Sequence, residues 1–266
     1  YWNSASSYPA APFVGTAGWS LPRSEWPRFA AQGTHLQRYA SRLNAVEINS
    51  SFYRPHRRQT YERWADGVPE AFRFSVKMPK HITHELRLAG CEAALDRFLA
   101  ECGGLGERLG CLLVQLPPSL VFEEASADAF FTTLRERFSG AVVLEPRHES
   151  WVSAESMLMT HQIARAAVDP SRISRDVSPS GWTRTQYWRL HGSPRIYHST
   201  YDSTYLLNLA QALQSAAAAG AATWCIFDNT ASGAALGNAL TLATLTADWE
   251  QICADMKLNL AKKPSP

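Results

Sequence analysis

An α/β protein built as a TIM-type (β/α)8 barrel is what this sequence predicts, and three observations predict it. Eight short, apolar, β-rich runs alternate with helix-like patterns along most of the 266 residues. That alternation marks a parallel sheet with right-handed crossovers, and eight such units in about 250 residues is the size of a closed barrel. The third observation lies at the ends of the runs, where valine, isoleucine and leucine give way to charged or amide side chains. These are Glu47 and Asn49, Lys77, Gln115, Glu145 and Arg147, Asp169, Arg189 and His191, then Asp228 and Asn229. So many polar groups at strand ends are costly to bury unless they share one polar cavity. In parallel α/β proteins ligands bind at the carboxyl ends of the strands.

In chain order the strand-like runs are 13–19, 45–52, 72–78, 110–116, 141–147, 164–169, 186–190 and 223–227. Helical patterns follow most of them, at 34–43, 59–65, 93–102, 127–138, 205–219 and 234–245. The interval 170–185, rich in Ser, Pro and Arg, breaks the rhythm between the sixth and seventh strands and reads as a long loop or a degenerate helix. A loop of that length serves either as a lid or binding element or as a surface excursion. Residues 1–12 and 256–266 read as tails around one barrel domain at 13–255, and no internal repeat or heptad array is visible.

With 45% hydrophobic and 19% charged residues, the chain can bury a large core. A formal net charge of +2 gives no nucleic-acid or membrane footprint, so affinity for either would need a local patch. The five cysteines are scattered, and Cys111 and Cys225 sit inside apolar runs, which favours reduced thiols and a cytoplasmic protein. The opening residues are polar and proline-containing, unlike a signal peptide, although the absence of an initial methionine leaves room for a removed leader. The Ala-rich stretch 210–222 is too weakly apolar for a membrane span. The sequence carries no signal for an oligomeric state.

Side chains alternate along a strand, so Glu47, Asn49 and Ser51 share a face, as do Ser75 and Lys77, Glu145 and Arg147, and Arg189 and His191. Turning these inward leaves Val46, Ile48, Phe74, Val76, Leu112, Val114, Val142 and Leu144 to meet the outer helices, which satisfies both faces at once. The densest cluster is LEPRHESW at 144–151. There Arg147 suits a bidentate grip on a phosphate or carboxylate, with His148 as proton donor or acceptor. The other reading of the same residues is an internal Glu145–Arg147 ion pair that braces the barrel. WRLHG at 188–192 repeats the pairing of a base with a histidine, and two such pairs point to an anionic ligand.

Metal binding competes for the same side chains: His148, His191, Glu145, Asp169, Asp228 and Glu47 could supply nitrogen and oxygen ligands. No HxH or HExxH spacing is present, however, and the adjacent Arg and Lys disfavour a dication, so no metal is expected. No cofactor is expected either, since GTAGW at 15–19 lacks the spacing of a dinucleotide fingerprint. Gly15 and Gly18 are read instead as close backbone approach or tight packing. Trp19, Tyr53, Trp151 and Tyr201 lie at strand ends or in loops where a stacking role is conceivable. There is no GxSxG elbow.

Taken together, GTAGW at 15–19, VEINSSFY at 46–53, FRFSVKMPKHITH at 72–84, LVQLPP at 113–118, EPRHESW at 145–151, YWRLHG at 187–192 and FDNT at 227–230 resemble the YecE-like family, also called domain-of-unknown-function family 72. The resemblance spans nearly the whole chain in order and implies a TIM-type barrel, with no reaction attached. The positions it marks are Glu47, Asn49, Tyr53, Lys77, His84, Gln115, Glu145, Arg147, His148, Trp151, Arg189, His191, Asp228 and Asn229. The interval 170–185 fits none of its motifs.

The functional expectation is a metal-independent enzyme, a hydrolase or lyase, or a ligand-binding barrel for a small or polymeric anion. Lys77, Arg147 and Arg189 would hold the charge, Glu145, His148, His191 and Asp228 would supply acid/base chemistry, and Asn49, Gln115 and Asn229 would orient the ligand. A second reading is a metal-dependent phosphodiesterase or nuclease resembling endonuclease IV. A third is a non-catalytic interaction barrel whose polar mouth serves stability.

Overall fold

The computed structural model describes residues 11–261; the outer parts of both expected tails, 1–10 and 262–266, lie outside the described residues. Ten strands form one sheet: β1 (Phe13–Ala17), β2 (Ala45–Ile48), β3 (Arg73–Lys77), β4 (Leu109–Gln115), β5 (Ala141–Glu145), β6 (Ile163–Arg165), β7 (Ala167–Asp169), β8 (Ser180–Gly181), β9 (Thr185–Leu190) and β10 (Ala222–Phe227). Their spatial order is β7-β9-β10-β1-β2-β3-β4-β5-β6-β8, and all pairings but the β6–β8 one are parallel.

The sixth expected strand is split, and the split closes the barrel. Its first half pairs with β5, matching Val142 with Ile163, and its second half pairs with β9, matching Ala167 with Trp188. Ala166 joins the halves and donates its N–H to the Leu144 carbonyl. The sheet therefore returns to itself through one residue, which is the TIM-type α/β architecture.

The strands end earlier than the apolar pattern suggests. β2 stops at Ile48 because Asn49 turns into the helical region and begins a short helix, α2 (Ser50–Tyr53). β5 stops at Glu145 because Pro146 has no N–H to continue the ladder. Asn49 and Arg147 are therefore loop residues just beyond their strands. The interval 170–185 holds one 3-10 turn, Ser174–Val177, and β8, which runs antiparallel to β6. It is pinned to the barrel by a buried Arg165–Asp176 pair, Nε to Oδ1 at 2.7 Å, and by the Gly181 N–H on Glu155 Oε1 at 2.6 Å. That anchoring argues against a surface excursion, and the single turn leaves the interval mostly loop.

The remaining helices are α1 (His35–Tyr39), α3 (Arg58–Asp66), α4 (Glu92–Cys102), α5 (Glu124–Arg137), α6 (Glu155–Thr160), α7 (Ser203–Ala218) and α8 (Ala234–Ala261). Local chemistry starts several of them. Thr34 and Gln37 form a capping box on α1, Glu123 caps α5 through Ser126, and Asp202 caps α7 through Tyr205.

Strand parity divides the core as the sequence requires. Val46, Ile48, Phe74, Val76, Leu112, Val114, Val142 and Leu144 pack outward with helix residues such as Tyr39, Leu95, Phe131, Leu134, Leu213 and Leu240. Ala45, Cys111, Leu113, Val143, Ala164, Ala166, Tyr187, Trp224 and Ile226 fill the barrel interior. Burial of each large apolar side chain contributes about 1.5–3 kcal/mol. The Trp224 ring stacks on Tyr187 at 5.9 Å between centroids and tilts against Phe13 at 4.6 Å, giving the barrel an aromatic floor.

Gly15 allows one close approach. A Cβ there would stand 2.0 Å from the Ala45 carbonyl oxygen. Beside it the Tyr39 hydroxyl is spliced into the ladder, accepting from the Thr16 N–H at 2.9 Å and donating to the Ala45 carbonyl at 2.7 Å.

Candidate polar site at the barrel mouth

Above the aromatic floor, the inward positions turn polar at the ends of β2, β3, β5, β9 and β10. Glu47, fully buried, accepts from Arg189 Nε and Tyr187 Oη on Oε1, both at 2.9 Å. On Oε2 it accepts from Arg189 Nη2 at 2.9 Å and Asn49 Nδ2 at 3.0 Å. The Tyr187 hydroxyl also meets Ser75 Oγ at 2.9 Å. A carboxylate only accepts, so Tyr187 donates to Glu47 and receives from Ser75.

Arg189, also fully buried, turns its third nitrogen to the second glutamate: Nη1 lies 3.2 Å from both oxygens of Glu145. Glu145 further accepts from Arg147 Nε at 3.1 Å and from His191 Nε2 at 3.1 Å. The other ring nitrogen of His191 is 2.9 Å from Asp228 Oδ2. One continuous network thus runs from Asn49 through Glu47, Arg189, Glu145 and His191 to Asp228.

The electrostatics follow from this wiring. Burial opposes ionisation of Glu145, yet Arg189, His191 and Arg147 together hold its carboxyl well below the ordinary range. Burial likewise opposes the charged form of His191, but Glu145 and Asp228 outweigh it and raise its pKa. Asp228 is lowered, burial being outweighed by its hydrogen bond to His191 and by Arg189. His191 therefore favours the imidazolium form, with both nitrogens already committed.

Lys77 differs from every other charge in the cluster. Its residue is 8% exposed, and among the described residues its ammonium has no hydrogen-bond or ion-pair partner. It lies over the Phe52 ring, 4.2 Å from the centroid. Burial and the nearby Arg189 push its pKa down to about 8 against the pull of Glu47, Glu145 and Asp228. The cluster as a whole sets three carboxylates against Lys77, Arg147, Arg189 and a protonated His191, one positive charge in excess.

The seven residues Glu47, Lys77, Glu145, Arg147, Arg189, His191 and Asp228 thus converge at the carboxyl ends of the strands, joined by bonds or by mutual electrostatic influence. His84 belongs to their rim. It sits in a single π-helical turn, His81–Glu85, its ring centroid 5.0 Å from that of Phe52 in an edge-to-face arrangement, and burial together with Lys77 and Arg147 lowers its pKa. Gln115 pairs with Glu145 across the ladder, and its amide donates to the Leu116 carbonyl at 3.3 Å.

Four further expected site residues make contacts outside this network. His148 Nδ1 accepts from the Ser150 N–H at 3.1 Å and caps the turn that follows, because Pro146 ends the strand and redirects the chain there. Trp151 is buried in the core, its indole N–H on the Leu120 carbonyl at 2.9 Å. Asn229 is fully buried and its amide nitrogen ties Ser199 and Asn238 together, bracing a loop, while its Oδ1 has no hydrogen-bond partner among the described residues. Tyr53 is 70% exposed and lines a separate cavity of about 350 Å3 with Phe52, Lys80 and Phe98, since α2 carries it outward. Arg189, expected to share in holding a ligand's charge, has all three guanidinium nitrogens hydrogen-bonded to carboxylates, two to Glu47 and one to Glu145.

The sequence reading passed over Tyr187 and Phe52. Tyr187 shares the parity of Arg189 and His191, and that signal would have found it. Phe52 had only its place directly after β2. Among the described residues no group of three His, Cys, Asp or Glu side chains is arranged to hold a metal ion, and no helix is long and apolar enough to cross a membrane.

Proteins with the same fold are known. Two DUF72 family proteins of solved structure share the fold. One, from Enterococcus faecalis V583, has a TM-score of 0.73 at 22% identity, covering 88% of this chain and 95% of its own. The other, from Thermotoga maritima MSB8, has a TM-score of 0.73 at 24% identity, covering 89% and 99%. UPF0759 protein YecE of Escherichia coli K12 is 32% identical over 105 residues, 40% of this chain. UPF0759 protein YunF of Bacillus subtilis 168 is 27% identical over 147 residues, 53% of this chain. The chain spans 37% and 52% of the length of these two relatives. The profile of the family described as "Protein of unknown function DUF72" matches residues 13–262, the whole barrel with every strand end just described, and the chain belongs to that family.

Proposed function

We propose that the barrel mouth binds a small anionic ligand, a phosphate or carboxylate compound, on Lys77 and Arg147, with Asp228 as the proton-transfer group. The observation that carries this reading is the ammonium of Lys77, buried and unpaired among the described residues while its charged neighbours are matched. A buried cation without a partner is costly, and a bound anion removes that cost. Arg147 supports the reading: its side chain is 26% exposed and only its Nε and Nη2 reach Glu145, so donors remain for a ligand.

Asp228 is the other group at the mouth with free capacity. Its side chain is 16% exposed and its Oδ2 is held by His191, which leaves Oδ1 to accept or return a proton. His191 acts through Asp228, since neither of its nitrogens is free. Such a pairing of anion grip and carboxylate suits hydrolase or lyase chemistry.

Calorimetric titration with sulfate and with inorganic phosphate tests the anion site. The wild-type chain is expected to bind at pH 7, more weakly as salt rises, and to lose affinity as pH climbs through about 8, where Lys77 sheds its proton. Lys77→Met is expected to bind at least tenfold more weakly. Equal binding by wild type and variant, or no binding by the wild type, would remove the basis of the proposal.

A further inference from the structure

Lys77 has a second property that anion binding does not use. Its nitrogen lies against an aromatic face with no carboxylate within ion-pair distance among the described residues, so no ion pair holds it in the protonated form. Lysines desolvated in this way, or set beside another cation, are the ones that act as nucleophiles toward carbonyl groups. Both conditions hold, since Phe52 covers the ammonium and Arg189 lies near enough to disfavour its charge. We infer that Lys77 is a covalent site, its amine forming an imine with a small carbonyl compound whose carboxylate or phosphate rests on Arg147. This deepens the anion-site reading and rests on it.

The step balances with the groups at hand. The neutral Lys77 Nζ attacks the carbonyl carbon, the C=O π pair moves to oxygen, and that oxygen takes a proton, giving a carbinolamine. A second proton on the same oxygen lets it leave as water while the nitrogen lone pair forms C=N. The nitrogen's own protons are released, so that carbonyl and amine give imine and water. Asp228, hydrogen-bonded to His191, is placed to relay these protons. At pH 8 about half of the molecules carry the neutral amine, given a pKa of about 8.

Reductive trapping of the full chain tests the inference. The protein is incubated at pH 8 with sodium cyanoborohydride and either pyruvate or dihydroxyacetone phosphate, and adducts are mapped by peptide mass spectrometry. The chain has five lysines, and Lys80, exposed and three residues away, is the internal reference. Lys77 is expected to be labelled at least tenfold faster than Lys80 by one of the probes, and the probe that reacts identifies the anion. Lys77→Arg is expected to show no adduct at that position while Lys80 is labelled as in the wild type. Labelling no faster than Lys80 with both probes overturns the imine while leaving the anion site standing if sulfate still binds. Failure of the wild type to bind sulfate defeats the underlying reading instead.

Discussion

Arg189→Met is expected to lower stability by about 3–5 kcal/mol or to prevent folding, the largest effect of any single change at the mouth. Among the described residues the guanidinium is the only group that touches both buried glutamates, at 2.9 Å to Glu47 and 3.2 Å to Glu145. Removing it leaves two like charges in the barrel interior without their main counter-ion, and breaking a buried pair from one side costs about this much. For a chain of this size that corresponds to a fall in Tm of about 10 °C. Arg189→Lys is expected to rescue little, because a point charge cannot reproduce a three-sided fork. Adding Glu47→Gln and Glu145→Gln to Arg189→Met is expected to recover part of the loss by deleting the stranded charges. Thermal melts of the three variants check this. An Arg189→Met protein that melts with the wild type would show that the inner layer is no brace.

Lys77→Met is expected to do the reverse, raising stability while abolishing anion binding. The sign comes from linkage. The folded chain holds Lys77 at about 8 against an ordinary 10.5, so between those values the unfolded chain binds more protons and stability rises with pH. Below pH 8 the full cost of burying the charged ammonium is present, about 3 kcal/mol from the difference between the two values. Methionine fills similar space without the charge and lies well against Phe52. A gain of about 1–3 kcal/mol at pH 7 follows, shrinking toward zero by pH 10 as the wild-type lysine neutralises. Denaturant melts of both proteins across pH 6 to 10 check it. A fall in stability on removing Lys77 would place it with Arg189 as a structural charge. Opposite signs at two neighbouring cations are what separate a ligand-facing layer from a bracing layer, since groups kept for function commonly sit at a cost to stability.

Much of this was legible from strand parity. Val46, Phe74, Val114 and Leu144 point to the helices and Glu47, Lys77, Glu145 and Arg189 to the lumen because side-chain alternation leaves no other arrangement that buries both faces. Parity fails where a strand stops. Asn49 and Arg147 keep the expected spacing yet have left their strands, one into α2 and one after Pro146, so their contacts depend on loop geometry. His148 and Trp151 lie beyond that same turn, where one caps the turn that follows and the other packs into the core. Nor does spacing tell a clamp from a brace: Arg189 and Lys77 both stand at inward strand ends, and only the placement of Glu145 across the barrel commits one and leaves the other free. The split at Ala166 was equally hidden, because a strand's neighbours on its two sides are set by closure and not by its own composition.

The most direct test of an anion site built on Lys77 is a crystal structure of the wild-type chain in sulfate, beside one of Lys77→Met under the same conditions. The account predicts sulfate at the wild-type mouth within hydrogen-bond distance of Lys77 Nζ and of a free Arg147 nitrogen. It predicts none in the variant, with the Glu47–Arg189–Glu145 brace unchanged in both. A wild-type mouth without sulfate, in which the Lys77 ammonium has folded onto Glu47, Glu145 or Asp228, would contradict it.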